Sequence, residues 1–170
     1  MFTNDPIKFN KETNKDKALL CLDPGTKNIG IAISDINKKV ATPIEVIKFT
    51  KYMDLKNKIK ELADKRSIQG IIIGYPINMD GSIGPKAQSS NSLADNLSSD
   101  LKLPILLWDE RLSTSGAERI SLSSDISRKK RKKVIDKVAA SYILQGYLDF
   151  INKNNSLWTN INLIIKDNFF

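Results

Sequence analysis

The segment Gly70–Gly74, read GIIIG, does most to constrain the fold. Three consecutive isoleucines between glycines suit the centre of a sheet that is covered on both faces. Two other runs share its character: Ala18–Leu22 leads straight into Asp23, and "PILLW" stops at Asp109 and Glu110. Around them, Leu19–Asp23 and Ile29–Asp35 read as strands joined by a turn at Pro24-Gly25. Val40–Phe49 reads as a third strand after the polar "INKK" turn. Three strands with short links predict an antiparallel meander.

Helical spacing follows. Leu55, Ile59 and Leu62 fall on one face, and Lys86–Leu97 forms a polar helix. Ser115 and Glu118 suit the capping box of a short helix. Val134–Phe150 is expected to be a helix with Val138, Ala139, Tyr142, Ile143 and Gly146 toward the core. Strands first, then alternation of strand and helix, predict an α/β fold: a mixed sheet with helices on both faces.

The chain of 170 residues is sized for one domain, and its 41% hydrophobic content is ordinary for a globular protein. We expect a loose N-terminal extension over residues 1–17, the folded domain over 18–150, and a C-terminal extension over 151–170. No apolar run approaches the roughly 18 residues of a membrane span. The N-terminus carries no apolar segment with a cleavage site, so the expected location is the cytoplasm.

Composition then limits the chemistry. Cys21 is the only cysteine and lies inside an apolar run, which excludes a disulfide within the chain and any cysteine-based zinc site. Histidine is absent. Acid–base chemistry must therefore come from carboxylates, lysine, tyrosine or metal-activated water, since no histidine-dependent triad or metal site can be built. The net charge is +8, and six cations are consecutive: Arg128, Lys129, Lys130, Arg131, Lys132 and Lys133. Clustered charge of this kind suits a nucleic-acid partner, bound through phosphate contacts that do not read sequence.

Three acids stand at the edges of apolar segments. Asp23 ends a strand, where an Asp before Pro-Gly can also act as a turn former. Asp109 and Glu110 end another, and alternation sends only one of them to a given face. Asp136 precedes Ala139, Ala140 and Ile143 by three, four and seven positions, which sets it on an edge of the core-facing stripe. An isolated carboxylate there needs a cation, a proton or a metal. Acids at two strand ends and a helix start, without histidine, suit a hard cation, and paired Mg²⁺ ions could serve phosphodiester cleavage.

The segments "LDPGTKNIGIAISD", "GYPINMDGS", "WDERLST" and "VIDKVAASYILQGYL" resemble the YqgF family, pre-16S ribosomal RNA nucleases related to RuvC-type Holliday junction resolvases. The resemblance covers about Leu19 to Phe150. It implies an RNase H-like fold with a five-stranded mixed sheet, the three-strand meander plus two parallel strands. It also implies catalytic and metal-binding roles for Asp23, Glu110 and Asp136, with two Mg²⁺ or Mn²⁺ ions, and Asp109 is a weaker candidate. Tyr75 stands where many members carry leucine. The implied partners are pre-ribosomal RNA, branched DNA or ribosomal particles, with no membrane role, and the oligomeric state is open. Two other readings compete: a non-catalytic RNA-binding module, and a phosphate-binding hairpin of the sugar-kinase type, which requires two such domains.

Overall fold

The computed structural model describes residues 2–13, 16–112 and 138–154. The chain runs β1 (Phe2–Thr3), α1 (Pro6–Glu12), β2 (Ala18–Pro24), β3 (Asn28–Ser34), β4 (Ala41–Lys48), α2 (Tyr52–Arg66), β5 (Ile68–Tyr75), α3 (Pro85–Leu101) and β6 (Ile105–Asp109). A single turn of 3-10 helix, Glu110–Leu112, continues β6, and residues 138–154 form a further helix, α4. Among the described residues, no helix is long and apolar enough to cross a membrane.

The strands form one sheet of order β1-β6-β5-β2-β3-β4. β2, β3 and β4 are the antiparallel meander, while β5 is parallel to both β2 and β6. GIIIG lies in β5, the buried centre that its composition requires. Alternation sorts the side chains onto two faces. Leu20, Leu22, Ile71, Ile73, Ile105 and Leu107 face α2 and α3, where Leu55, Ile59, Leu62, Leu93 and Leu97 are buried. Leu19, Cys21, Ile72, Leu106 and Trp108 face α1 and α4.

Among the described residues the sheet has six strands where five were expected. The extra strand is β1, which pairs in parallel with β6 through Phe2 and Thr3. The N-terminal residues, expected as a loose extension, also form α1. Its N-cap is Asp5, whose carboxylate accepts from the N–H groups of Ile7 and Lys8 at 2.8 and 3.1 Å, and a proline opens its first turn. Phe9 is fully buried and meets the Tyr147 ring edge-on, with centroids 5.7 Å apart. A single apolar anchor in a seven-residue helix leaves no periodicity to read from sequence.

The buried stripe of α4 is also rotated from the expected one. Ala139 and Ile143 face the core as read, but Val138, Tyr142 and Gly146 are half-buried. The inner positions are Ala140, Leu144, Tyr147, Leu148 and Ile151, because the bulky residues of the helix recur there at i, i+3 and i+4. The Gln145 side chain fixes this helix over the meander, accepting from Ala41 N–H and donating to the Lys39 carbonyl, both at 2.9 Å. Ser115, Glu118, Asp136, the run Arg128–Lys133 and residues 155–170 lie outside the described residues.

Candidate active site

β2 and β6 flank the central strand β5, and all three run in the same direction, so their C-terminal ends share one rim of the sheet. Asp23 lies on the rim two residues beyond Cys21, and Glu110 two beyond Trp108. Alternation therefore puts Asp23 on the face covered by α4, and Glu110, already in the 3-10 turn, reaches the same face beside Ile143. Between them stands Gly74, opposite Trp108 in the ladder. A Cβ on Gly74 would lie 2.8 Å from Glu110 Oε1, 2.8 Å from Ile143 Cδ1 and 3.7 Å from Asp23 Oδ1. Two carboxylates from separate strands and one side chain of α4 thus converge on a single missing methyl group. Ser90, on the other face, donates its hydroxyl to the Gly74 carbonyl at 2.9 Å and holds this strand end to α3.

Room beside Asp23 comes from glycine as well. Its ladder partner in β3 is Gly30, which adds no side chain next to the carboxylate. In the β2–β3 turn, Gly25 N–H donates to the Asn28 carbonyl at 2.9 Å, and a Cβ at Gly25 would stand 2.7 Å from that same oxygen. The turn therefore requires glycine for its own closure.

Asp109 has a different role. Its side chain takes three contacts of 2.7 to 3.1 Å from the Arg111 guanidinium and one of 3.0 Å from the Arg111 N–H, and the guanidinium reaches on to the Asn78 carbonyl at 3.3 Å. The hydrogen-bonded Arg111 guanidinium, aided by the Arg111 N–H, holds the Asp109 carboxyl below its ordinary range. The acid pair at the end of β6 is thus divided, with Glu110 at the convergence point and Asp109 tying the strand end to the loop after β5.

The donors at Gly74 are hard oxygens on rigid strand ends, and the space between them is one that a Cβ would fill, so the site fits a divalent cation. Among the described residues, no group of three or more acidic, histidine or cysteine side chains is gathered. Asp136 and Arg128–Lys133, the other expected site residues, lie outside the described residues.

A feature that the sequence reading missed opens beside Asp23. A cleft of about 580 Å³ runs from Asp23 and Gly30 past Thr26 and Asn28, and Lys27, Lys48 and Lys86 line it. Among the described residues, none of these lysines forms an ion pair. They lie far apart along the chain, and the only signal in the sequence was Lys27 within "DPGTKNIG".

Comparison with known proteins gives the family. A protein of Cereibacter sphaeroides (strain KD131 / KCTC 12085) named "Putative pre-16S rRNA nuclease" is 53% identical over 132 residues, 78% of this chain and 82% of its own length. One of the same name from Pelagibacter ubique (strain HTCC1062) is 45% identical over 152 residues, 89% of this chain and 99% of its own. Among solved structures, T. thermophilus RuvC in complex with Holliday junction substrate superposes with a TM-score of 0.52 at 12% identity. That match covers 79% of this chain and 96% of RuvC, a likeness of fold. The profile of the family described as "RuvX: Holliday junction resolvase" matches residues 17–150, and the chain belongs to this RuvX, or YqgF, family.

Proposed function

We propose that the protein is a metal-dependent phosphodiester nuclease that trims the 5′ end of pre-16S ribosomal RNA in the cytoplasm. The observation that carries this reading is the meeting of Asp23 and Glu110 at Gly74, on the rim where three parallel strands end. The names of the relatives at 45–53% identity favour the RNA substrate.

Asp23 and Glu110 hold fixed negative charge on strand ends that cannot swing, so a cation and the phosphate it attracts meet a preset geometry. Asp136 is the third acid of the proposed set. It precedes Ala139, Ala140 and Ile143 in sequence, all three are buried, and Ile143 reaches the Gly74 position. Asp109 stays with Arg111 and takes no part. When bound, Mg²⁺ or Mn²⁺, as one ion or two, supplies Lewis-acid stabilisation of phosphate charge and activates the attacking water. Arg128–Lys133 contribute phosphate affinity without reading sequence.

Resolution of branched DNA is the second reading, favoured by the description of the family. The test offers pre-16S leader RNA and a four-way DNA junction to wild type and to Asp23→Asn, each in Mg²⁺, Mn²⁺ or EDTA. Shortening of the RNA by wild type in metal alone is expected. Full activity of Asp23→Asn, or activity in excess EDTA, overturns the proposal. Cleavage of the junction without cleavage of the RNA transfers it to DNA.

A further inference from the structure

Two clefts meet over the β2–β3 turn. One is the lysine-lined cleft beside Asp23. The other, of about 360 Å³, is walled by Ile29, Phe49, Pro85 and Leu93, and it shares Gly25, Thr26 and Lys86 with the first. The first is cationic and the second is apolar, and they adjoin across the residues they share.

Phe49 lines the second cleft, beside the residues that the two share. It is 41% exposed, and it directly follows Lys48 at the end of β4. Its N–H donates to the Lys27 carbonyl at 2.9 Å, so the backbone carrying the ring is pinned to the turn carrying Lys27. Lys48 is opposite Asn28 in the ladder, and Lys86 arrives from the first turn of α3. The β2–β3 turn, β4 and α3 thus deliver three cations around one acid, next to an exposed aromatic ring. Concentrated cations repel one another and call for a polyanion. An exposed aromatic ring beside them is the surface on which an unpaired base stacks, whereas a duplex keeps its bases stacked on each other.

Resting on the nuclease reading above, we infer that this double cleft holds the single-stranded segment next to the bond to be cut. Its phosphates lie along Lys27, Lys48 and Lys86, and one unpaired base lies against Phe49. The surface therefore selects for an unpaired flank of the substrate.

The experiment measures binding by the full chain, in EDTA so that nothing is cut, to a single-stranded RNA of about 12 nucleotides and to a blunt RNA duplex of equal length. Lys27→Gln/Lys48→Gln/Lys86→Gln is expected to weaken single-strand binding and to flatten its salt dependence by about 2, at roughly 0.7 per lost phosphate contact. Phe49→Ala is expected to weaken single-strand binding roughly 5- to 100-fold while leaving the salt slope and the duplex affinity in place. Phe49→Trp is expected to restore the single-strand affinity. Unchanged single-strand affinity in the lysine triple variant or in Phe49→Ala, or an equal loss on duplex and single strand in Phe49→Ala, overturns the inference. Wild type that binds in this pattern but cuts neither RNA nor junction overturns the nuclease reading instead.

Discussion

Asp23, one residue before the end of β2, and Glu110, the first residue after β6, stand on either side of β5, and oxygens of both carboxylates lie within 3.7 Å of the point where a Cβ on Gly74 would stand. The acids are separated by about half of the chain in sequence, and the parallel register brings them together. Gly74→Ala is therefore a probe of the site. Its methyl group would approach Glu110 Oε1 and Ile143 Cδ1 at 2.8 Å, closer than such atoms tolerate, and both must move. We expect a stability cost of about 1–2 kcal/mol and a fall in cleavage of roughly 100-fold, the scale of an ångström's misplacement. Gly70→Ala is the control. Its methyl group would meet Phe9 and Thr13 at 2.8 Å, away from the acids, so it should cost stability while cleavage at permissive temperature survives. Melting curves and single-turnover rates on the same preparations separate the two outcomes.

Asp109 and Glu110 are adjacent, yet their substitutions should diverge. Glu110→Gln removes a charge at the convergence point and should lower cleavage by roughly 100-fold or more. Asp109→Asn removes the ion pair with Arg111, keeping at most a neutral hydrogen bond, and should leave most of the activity. Equal losses in the two variants would mean that Asp109 belongs to the site.

The strand ends were legible in the sequence because apolar runs that stop at acids leave little freedom. "LLCLD" and "ILLWD" each have one arrangement that buries their apolar residues and exposes the acids at a rim, and "GIIIG" between them can only be a buried centre. The meander was legible from its short polar turns. The first strand and helix were not, since a two-residue strand and one buried Phe9 produce no period. The inner stripe of α4 was misread by about one residue, because Tyr147 and Leu148 outweigh Gly146 in volume and the shorter pattern gave no reason to prefer them. The lysine cleft was hidden for a different reason. Lys27, Lys48 and Lys86 become neighbours only through strand pairing and the placement of α3.

The N-terminal residues give a test of that misreading. Phe9 is fully buried between Gly70 and the Tyr147 ring, so Phe9→Ala should leave a cavity and cost about 3–5 kcal/mol. A loss below about 1 kcal/mol in chemical denaturation would mean that α1 does not dock.

Tyr147 offers the reverse case. Its hydroxyl is buried with no hydrogen-bond partner among the described residues, and burial pushes its ionisation well above the ordinary range. An unsatisfied buried hydroxyl is destabilising. Tyr147→Phe keeps the edge-on contacts with Phe9 and Trp108 and removes the orphaned group, so it should be neutral or stabilising by up to about 1 kcal/mol. A clear drop in melting temperature would show that the hydroxyl has a partner.

The Asp109–Arg111 pair should give stability a defined dependence on pH. Arg111 holds the Asp109 carboxyl below its ordinary value of 3.8, so the folded state favours the ionised form more than the unfolded chain does. A depressed carboxyl contributes stability that is fully present above the unfolded value and is lost as pH falls through the lower folded value. Arg111→Met removes the cation but keeps an apolar stem, and it should melt below wild type at pH 7. As the buffer is taken from pH 5 downward, the two melting temperatures should converge, because wild type alone loses the pair's contribution. The pair is partly exposed, and added salt at pH 7 should narrow the gap as well. A gap that stays constant from pH 7 to strongly acid buffer would mean that Arg111 stabilises through packing and its contact with the Asn78 carbonyl, without the charge of Asp109.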